Sequence, residues 1–168
     1  MEVTATVTIN VIPPDIRKAE GDAIVVGIFE DVRPLKGFAG QLDWLLCGSL
    51  SHLLLTNRMR GSLGDVALCN SRGKVPSPKI FMMGLGPSGA FSRAALRAAG
   101  RKAASSVLGA GAARAVIECN LPSDESLEAC IPLFQEGLEE GAGGRSLAVS
   151  LLAPDKDAFD RLSRKLRR

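Results

Sequence analysis

Alternation of apolar and polar residues near the start of the chain predicts a strand at the edge of a sheet. From Val3 to Ile9 every second residue is apolar and the residues between them are threonines, and Pro13-Pro14 follows the run. A period of two is that of a strand with one solvated face, and proline is confined to the edges and ends of sheets. A second run, Ala23 to Phe29, is continuously apolar. Such a strand is buried on both faces, so we expect helices above and below it.

Apolar residues recur at intervals of three and four between the strands, which is the spacing of helices with one buried face. This spacing predicts one helix from Phe38 to Leu55, one over residues 94–104 with Ser92 as N-cap, one over 127–138 that contains Pro132, and one after Pro154-Asp155. Short apolar runs predict further strands over residues 66–69, 80–85, 115–119 and 147–152. Strands and helices therefore alternate, and the sequence predicts an α/β sandwich with a mixed, mostly parallel sheet.

The end of the predicted strand 80–85 carries closely spaced glycines and leads into an alanine-rich helix. Unpaired N–H groups and the positive end of a helix dipole meet at such a turn and suit an anion. We therefore predict a candidate ligand-binding turn, made of Gly84, Leu85, Gly86, Ser88 and Gly89. The same pattern is typical of a plain tight turn, the dinucleotide and P-loop signatures are absent, and Pro87 lacks one N–H donor. Both interpretations stay open.

Size, composition and charge add limits to this picture. The chain has 168 residues, 46% hydrophobic and 23% charged, so we expect residues 1–168 to form a single globular domain. The net charge of +3 is concentrated in the last eight residues, at Arg161, Arg164, Lys165, Arg167 and Arg168. Cations are favoured in the last turn of a helix, and a basic cluster can also contact nucleic acid. With no tyrosine and one tryptophan for stacking on bases, we do not expect a nucleic-acid partner.

The cysteines and the start of the chain bear on where the protein works. Cys47, Cys69, Cys119 and Cys130 lie far apart, without a Cys-x-x-Cys pair or a nearby histidine, which argues against zinc. Each lies in an apolar stretch, so we expect reduced thiols in the core. The start lacks a secretory leader, and no apolar run is long enough to span a membrane. We therefore expect a soluble, cytoplasmic protein that does not contact membranes.

No residue pattern predicts catalysis, a metal site or a cofactor. His52 is the only histidine, and its position on a predicted helix favours a solvated side chain over a catalytic base. Glu136, Glu139 and Glu140 could hold a hard cation, but such a cluster is more typical of a water-facing helix. Ser49 and Ser88 lack the surrounding Gly-x-Ser-x-Gly of a hydrolase.

A series of short phrases resembles the N-terminal domain of the cytosolic leucyl aminopeptidase family. The phrases keep that family's order and closely similar intervals over residues 20–153, and they are Asp22–Asp31, Gly48–Leu54, Gly61–Asp65, Phe81–Gly86, Leu96–Gly100 and Glu136–Gly141. The resemblance implies a three-layer α/β/α sandwich similar to macro domains. In that family the two-metal peptidase site belongs to a second, larger domain, whose Asn-Thr-Asp-Ala-Glu-Gly-Arg stretch has no counterpart here. After Ala153 the sequence departs from the family and predicts its own basic helix over residues 155–168.

Two functional hypotheses follow from this resemblance. The first is a stand-alone, non-catalytic domain that acts through protein association, with itself or with an aminopeptidase, and it predicts a contiguous apolar surface patch. The second is a macro-domain-like module that binds a phosphate-bearing ligand, a nucleotide or ADP-ribose, through backbone N–H groups of the Gly84–Gly89 turn. No aromatic residue is clearly placed beside that turn to stack on a base.

Overall fold

The structure is a computed structural model that describes residues 5–120 and 125–168. Its strands are β1 Val7–Ile12, β2 Ala23–Phe29, β3 Val66–Asn70, β4 Lys79–Gly86, β5 Arg114–Glu118 and β6 Leu147–Leu152. Its α-helices are α1 Gly37–Leu45, α2 Ser49–Leu55, α3 Arg93–Gly109, α4 Leu127–Ala142 and α5 Lys156–Leu166. Within the described residues, none of these helices is long and apolar enough to cross a membrane.

The strands form one sheet in the order β1-β6-β5-β2-β4-β3. All neighbouring pairs are parallel except β3 with β4. Helices α3, α4 and α5 share one apolar core with the sheet, and α1 and α2 share a second core on its opposite face. The predicted mixed, mostly parallel sheet and the three-layer α/β/α architecture are therefore confirmed.

Strand β2 has the double burial that its continuous apolar run predicts. Val25 contacts the core under α3 and α4, whereas Ile24 and Val26 contact the core under α1 and α2. The first strand lies at the edge of the sheet, also as predicted. Its predicted start at Val3 lies outside the described residues, and the observed strand spans Val7–Ile12.

The single helix predicted from Phe38 to Leu55 is wrong, because the chain turns after Leu45. Cys47 and Gly48 adopt positive φ angles of 53° and 81°, so the helical path cannot continue. The Asp43 side chain then caps α2, since its Oδ1 accepts the N–H groups of Leu50 and Ser51 at 2.9 Å each. Cys47 is exposed in this turn rather than buried in the core, which corrects the prediction for that thiol.

Pro132 lies inside α4 without ending it. Proline has no N–H, so the carbonyl of Glu128, four residues earlier, loses its helical partner. The Nζ of Lys165 donates to that carbonyl at 3.0 Å, and Arg161 Nε donates to Glu128 Oε1 at 2.9 Å. The basic terminal helix α5 therefore fastens to α4 where the proline leaves an acceptor, and two of its cations have partners within the protein.

Helices α3 and α4 approach each other closely through glycines. A Cβ atom placed on Gly137 would lie 2.2 Å from the carbonyl oxygen of Arg97, and one on Gly141 would lie 2.0 Å from that of Arg101. These neighbours are backbone atoms, which cannot turn aside as a side chain would. Arg97 then bridges the same helices on the outside through ion pairs with Glu136 and Glu140. Two of the three glutamates considered as a hard-cation site, Glu136 and Glu140, therefore pair with arginine.

Candidate functional site

The sheet has a topological switch point between β2 and β5. From β2 the chain leads through α1, α2 and β3 to β4 on one side, whereas β5 and β6 lie on the other side. Residues 23–25 of β2 pair with residues 115–117 of β5, and among the described residues the pairing of these two strands ends there. In open α/β sheets, ligands bind in the crevice that such diverging strands leave at their carboxyl ends.

A crevice of about 440 Å³ occupies this position. Its walls come from the end of β2, the start of α1, the end of β5 and the segment after β6. The lining residues are Pro14, Gly27, Ile28, Phe29, Val32, Leu35, Lys36, Gly37, Phe38, Ala39, Gln41, Glu118, Cys119, Asn120, Leu152 and Pro154. Most of them are apolar and only a few are polar, which is the usual character of a small-molecule site.

Glu118 is the acidic residue among the side chains that line the crevice. Its Oε2 accepts the backbone N–H of Phe38 at 3.2 Å, and its Oε1 accepts Nδ2 of Asn120 at 2.8 Å. The N–H of Gly27 also donates to this carboxylate. One side chain therefore connects β5, β2 and the first turn of α1.

Burial raises the pKa of Glu118 from its ordinary value of 4.5 to about 7, against the lowering effect of these three hydrogen bonds. Besides the crevice, Glu118 and Asn120 line a small cavity of about 20 Å³ whose other lining residues are apolar, among them Phe91, Leu96 and Phe134. Glu118 consequently titrates near neutral pH.

The start of α1 forms the wall that faces Glu118. Lys36 is the N-cap in an extended conformation and makes no side-chain cap hydrogen bond. The first N–H groups of a helix have no partner within the helix, so here Phe38 finds one in the carboxylate. Gly37 precedes it with a φ of +59°, a conformation that glycine adopts without strain. The carboxylate thus occupies a position that is electrostatically suited to an anion.

Gly27 makes room for the side chain that holds Glu118. A Cβ atom at this position would lie 2.2 Å from Oδ1 of Asn120 and 2.5 Å from Cδ1 of Leu85. The absence of a side chain therefore lets Asn120 lie across β2 and donate to Glu118.

The predicted turn Gly84–Gly89 lies elsewhere on the same sheet edge. Gly84, Leu85 and Gly86 end β4, and Ser88 and Gly89 belong to a short 3₁₀ turn, Ser88–Ala90. None of these five residues lines the crevice, although Leu85 lines the small apolar cavity behind Glu118.

Three residues of this turn, Gly84, Gly86 and Ser88, already donate to acceptors within the protein. The N–H of Gly84 donates to Asp65 O at 2.8 Å, and that of Gly86 donates to Gly61 O at 2.9 Å. The Ser88 N–H donates to Asp31 Oδ1 at 2.8 Å and its hydroxyl donates to Asp31 Oδ2 at 2.7 Å. These two hydrogen bonds hold the pKa of Asp31 below its usual value. A phosphate at the turn would have to displace the Asp31 carboxylate. Ligand binding by the turn therefore stays a prediction, and Asp31 would compete with the ligand for Ser88.

The sequence reasoning did not single out Glu118. The available signal was its place directly after the apolar run Ala115-Val116-Ile117, where an acid at the carboxyl end of a buried parallel strand lies at the ligand edge of a sheet. His52 is exposed, as predicted. In the described part of the chain, no group of three or more histidine, cysteine, aspartate or glutamate side chains is arranged to hold a metal ion.

The chain is similar in sequence to cytosol aminopeptidases. Probable cytosol aminopeptidase of Geobacter sulfurreducens is 35% identical over 94 residues, which are 55% of this chain and 19% of that protein. This chain thus spans about a fifth of the length of that relative.

Solved structures share the fold at low identity. A mutant of tomato leucine aminopeptidase matches with a TM-score of 0.73 at 17% identity, over 99% of this chain and 36% of that one. An Oceanobacillus iheyensis macrodomain with ADP matches with 0.71 at 15% identity, over 98% and 92%. A Trypanosoma brucei macrodomain in complex with ADP-ribose matches with 0.66 at 17% identity, over 96% and 69%. These likenesses establish a macrodomain-like fold.

The family model described as the cytosol aminopeptidase family, N-terminal domain, matches residues 25–142. The match includes most of β2, all of β3 to β5 and α1 to α4, and thus reaches both strands of the switch point. This chain therefore belongs to the cytosol aminopeptidase family and carries the N-terminal domain of that family.

Proposed function

We propose that this domain is a binding module for a nucleotide-type ligand with a diphosphate, of the class of ADP-ribose. The observation that carries the proposal is the crevice of about 440 Å³ at the switch point between β2 and β5. Its size lies within the range of about 300–1,000 Å³ that is usual for small-molecule pockets. The proposal moves the expected ligand from the Gly84–Gly89 turn to the crevice, because Asp31 already occupies the donors of Ser88 in that turn.

The walls of the crevice suit the two chemical parts of such a ligand. Phe29, Val32 and Leu35 offer apolar surface for a base or a sugar ring. Lys36 and the first N–H groups of α1 offer positive charge and donors for phosphate oxygens. Two proteins of the same fold were solved with ADP and with ADP-ribose, which supports this choice of ligand class.

Isothermal titration calorimetry with ADP-ribose at pH 6 tests the proposal. Val32→Trp adds an indole at a half-buried crevice position and should weaken binding by more than about tenfold, since it fills the space that the ligand needs. Leu63→Trp is the matched control, because Leu63 is 51% exposed and lies outside the crevice. Absence of heat at millimolar ADP-ribose, or equal losses in both variants, would contradict a site in the crevice.

Protein association is a second candidate, supported by exposed apolar side chains. Trp44 is 76% exposed and Leu55 81%, and both belong to the α1–α2 pair. Leu68, on the edge strand β3, is 53% exposed. The partner would be a second copy of this chain or an aminopeptidase. Sedimentation velocity over a range of concentrations should show a dimer that Trp44→Ser with Leu55→Ser abolishes, and a concentration-independent monomer would refute self-association.

A further inference from the structure

We propose that Glu118 determines the charge that the crevice accepts, so that a phosphate group reaches the start of α1 only when Glu118 carries a proton. This inference rests on the proposed ligand function and adds a rule for its specificity. The ionised carboxylate and the phosphate compete for one position, and proton uptake decides between them.

The competition follows from the hydrogen bond between Glu118 and Phe38. The Phe38 N–H points at Glu118 Oε2 over 3.2 Å, and Gly37 and Ala39 of the same turn also line the crevice. A phosphate that uses the positive end of α1 would bring its oxygens beside that carboxylate. Two negative charges in such close proximity repel each other. A protonated Glu118 removes the repulsion and can donate its proton to a phosphate oxygen.

Glu118 is the residue of the crevice whose charge changes around neutral pH. Lys36, at the start of α1, is the cationic side chain that lines the crevice. Directly after β5, burial raises the pKa of Cys119 to about 12, so that thiol stays neutral. The lining residues from β2 and from the segment after β6 have no ionisable side chains. Because burial raises the pKa of Glu118 to about 7, small pH changes around neutrality alter its charge.

ADP-ribose is the appropriate probe, because each of its two phosphates carries one ester and one anhydride bond and does not titrate near pH 7. If only the protonated form of Glu118 admits the diphosphate, affinity at pH 8 should be about tenfold lower than at pH 6. Calorimetry in two buffers of different ionisation enthalpy should show about one proton taken up per ligand bound at pH 8. Adenosine, which has no phosphate, should show no such dependence.

Glu118→Gln is the diagnostic variant, since glutamine keeps the shape and cannot ionise. It should bind ADP-ribose equally at pH 6 and pH 8, at least as tightly as the unaltered protein does at pH 6. Asp31→Asn is the matched control, because Asp31 is a carboxylate of the same sheet edge outside the crevice, and it should keep the full pH dependence. Circular dichroism of each variant verifies that it is folded.

The outcomes separate this inference from the function on which it rests. Equal affinity of the unaltered protein at both pH values would overturn the role of Glu118 while the binding function stands. A folded Glu118→Gln variant that loses binding would also overturn it. If neither protein binds at any pH, the binding function fails and the inference fails with it. The Phe38 amide gives a second readout by ¹⁵N NMR, because its shift should follow the titration of Glu118 and move to higher pH when ADP-ribose is added.

Discussion

Replacing Glu118 by glutamine should make the protein more stable at alkaline pH. In the folded state the pKa of Glu118 is about 7, and in the unfolded chain it returns to its ordinary value of 4.5. Between these values the native protein holds a proton that the unfolded chain releases, so folding stability falls as pH rises through this window. The difference in pKa corresponds to a loss of about 3 kcal/mol above pH 7.

The variant keeps the packing around the crevice and removes this loss. Glutamine can still accept the Phe38 N–H through its carbonyl oxygen, and the Asn120 amide can turn so that its oxygen accepts the new NH₂ group. We therefore expect the free energy of unfolding of Glu118→Gln to exceed that of the unaltered protein by about 1–3 kcal/mol at pH 8. At pH 4.5 or below the two proteins should be nearly equally stable.

Urea denaturation from pH 4.5 to pH 8.5, followed by circular dichroism, measures this difference without any ligand. Asp31→Asn is again the control, and its difference in stability from the unaltered protein should not change over this pH range, because Asp31 titrates below its ordinary value of 3.8. Hydrogen bonds from Ser88 lower the pKa of Asp31, so its contribution to stability is present at neutral pH and is lost as the solution becomes acidic. A Glu118→Gln variant that is less stable than the unaltered protein at pH 8, or whose advantage does not change with pH, would refute the reasoning.

Three further substitutions test the packing of the fold by urea denaturation. Gly137→Ala should destabilise the protein by about 1–3 kcal/mol, since its Cβ would lie 2.2 Å from a backbone oxygen of α3. Gly109→Ala, also in a helix but with open space around it, should be neutral or slightly stabilising. Equal effects of the two substitutions would contradict the close approach of α3 and α4. Asp43→Ala should cost about 1 kcal/mol by removing the cap of α2, and no change would show that the cap is dispensable. Lys165→Met should lower the free energy of unfolding by up to about 1 kcal/mol, because the Glu128 carbonyl that has no helical donor at Pro132 loses the Lys165 ammonium. Arg167→Met, at an exposed position beyond α5, should leave the free energy of unfolding unchanged. A larger loss from Arg167→Met would count against the docking of α5 on α4 through Lys165.

Much of the fold could be predicted from local patterns. The continuous apolar run of β2 correctly predicts a strand that is buried on both faces. The alternation near the start of the chain correctly predicts a strand at the edge of the sheet. Ser92 caps α3 as its position suggested, through a hydrogen bond from the Ala95 N–H. The division between α1 and α2 was missed, because the leucine spacing continues across a turn whose cause is the left-handed backbone of Cys47 and Gly48.

The candidate site was less accessible to sequence reasoning, because its contacts join distant residues. Glu118 and Phe38 are eighty positions apart, and neither is unusual in its own segment. The same limit applies to the Gly84–Gly89 turn. Its glycines were visible in the sequence, but Asp31, which bonds to Ser88 across fifty-seven positions, was not recognisable as their partner. Local sequence patterns do not reveal that β2, β5 and α1 meet at one edge of the sheet.

Chemical-shift mapping with ADP-ribose at pH 6 tests most directly whether the crevice at the switch point is the ligand site. Amide resonances of ¹⁵N-labelled protein would be followed as ADP-ribose is added, with Gly37, Phe38 and Glu118 reporting on the crevice and Gly86 and Ser88 reporting on the predicted turn. We expect saturable shifts at the first three residues and little change at the last two. Shifts confined to Gly86 and Ser88, or no shifts at millimolar ADP-ribose, would contradict a ligand site between β2 and β5.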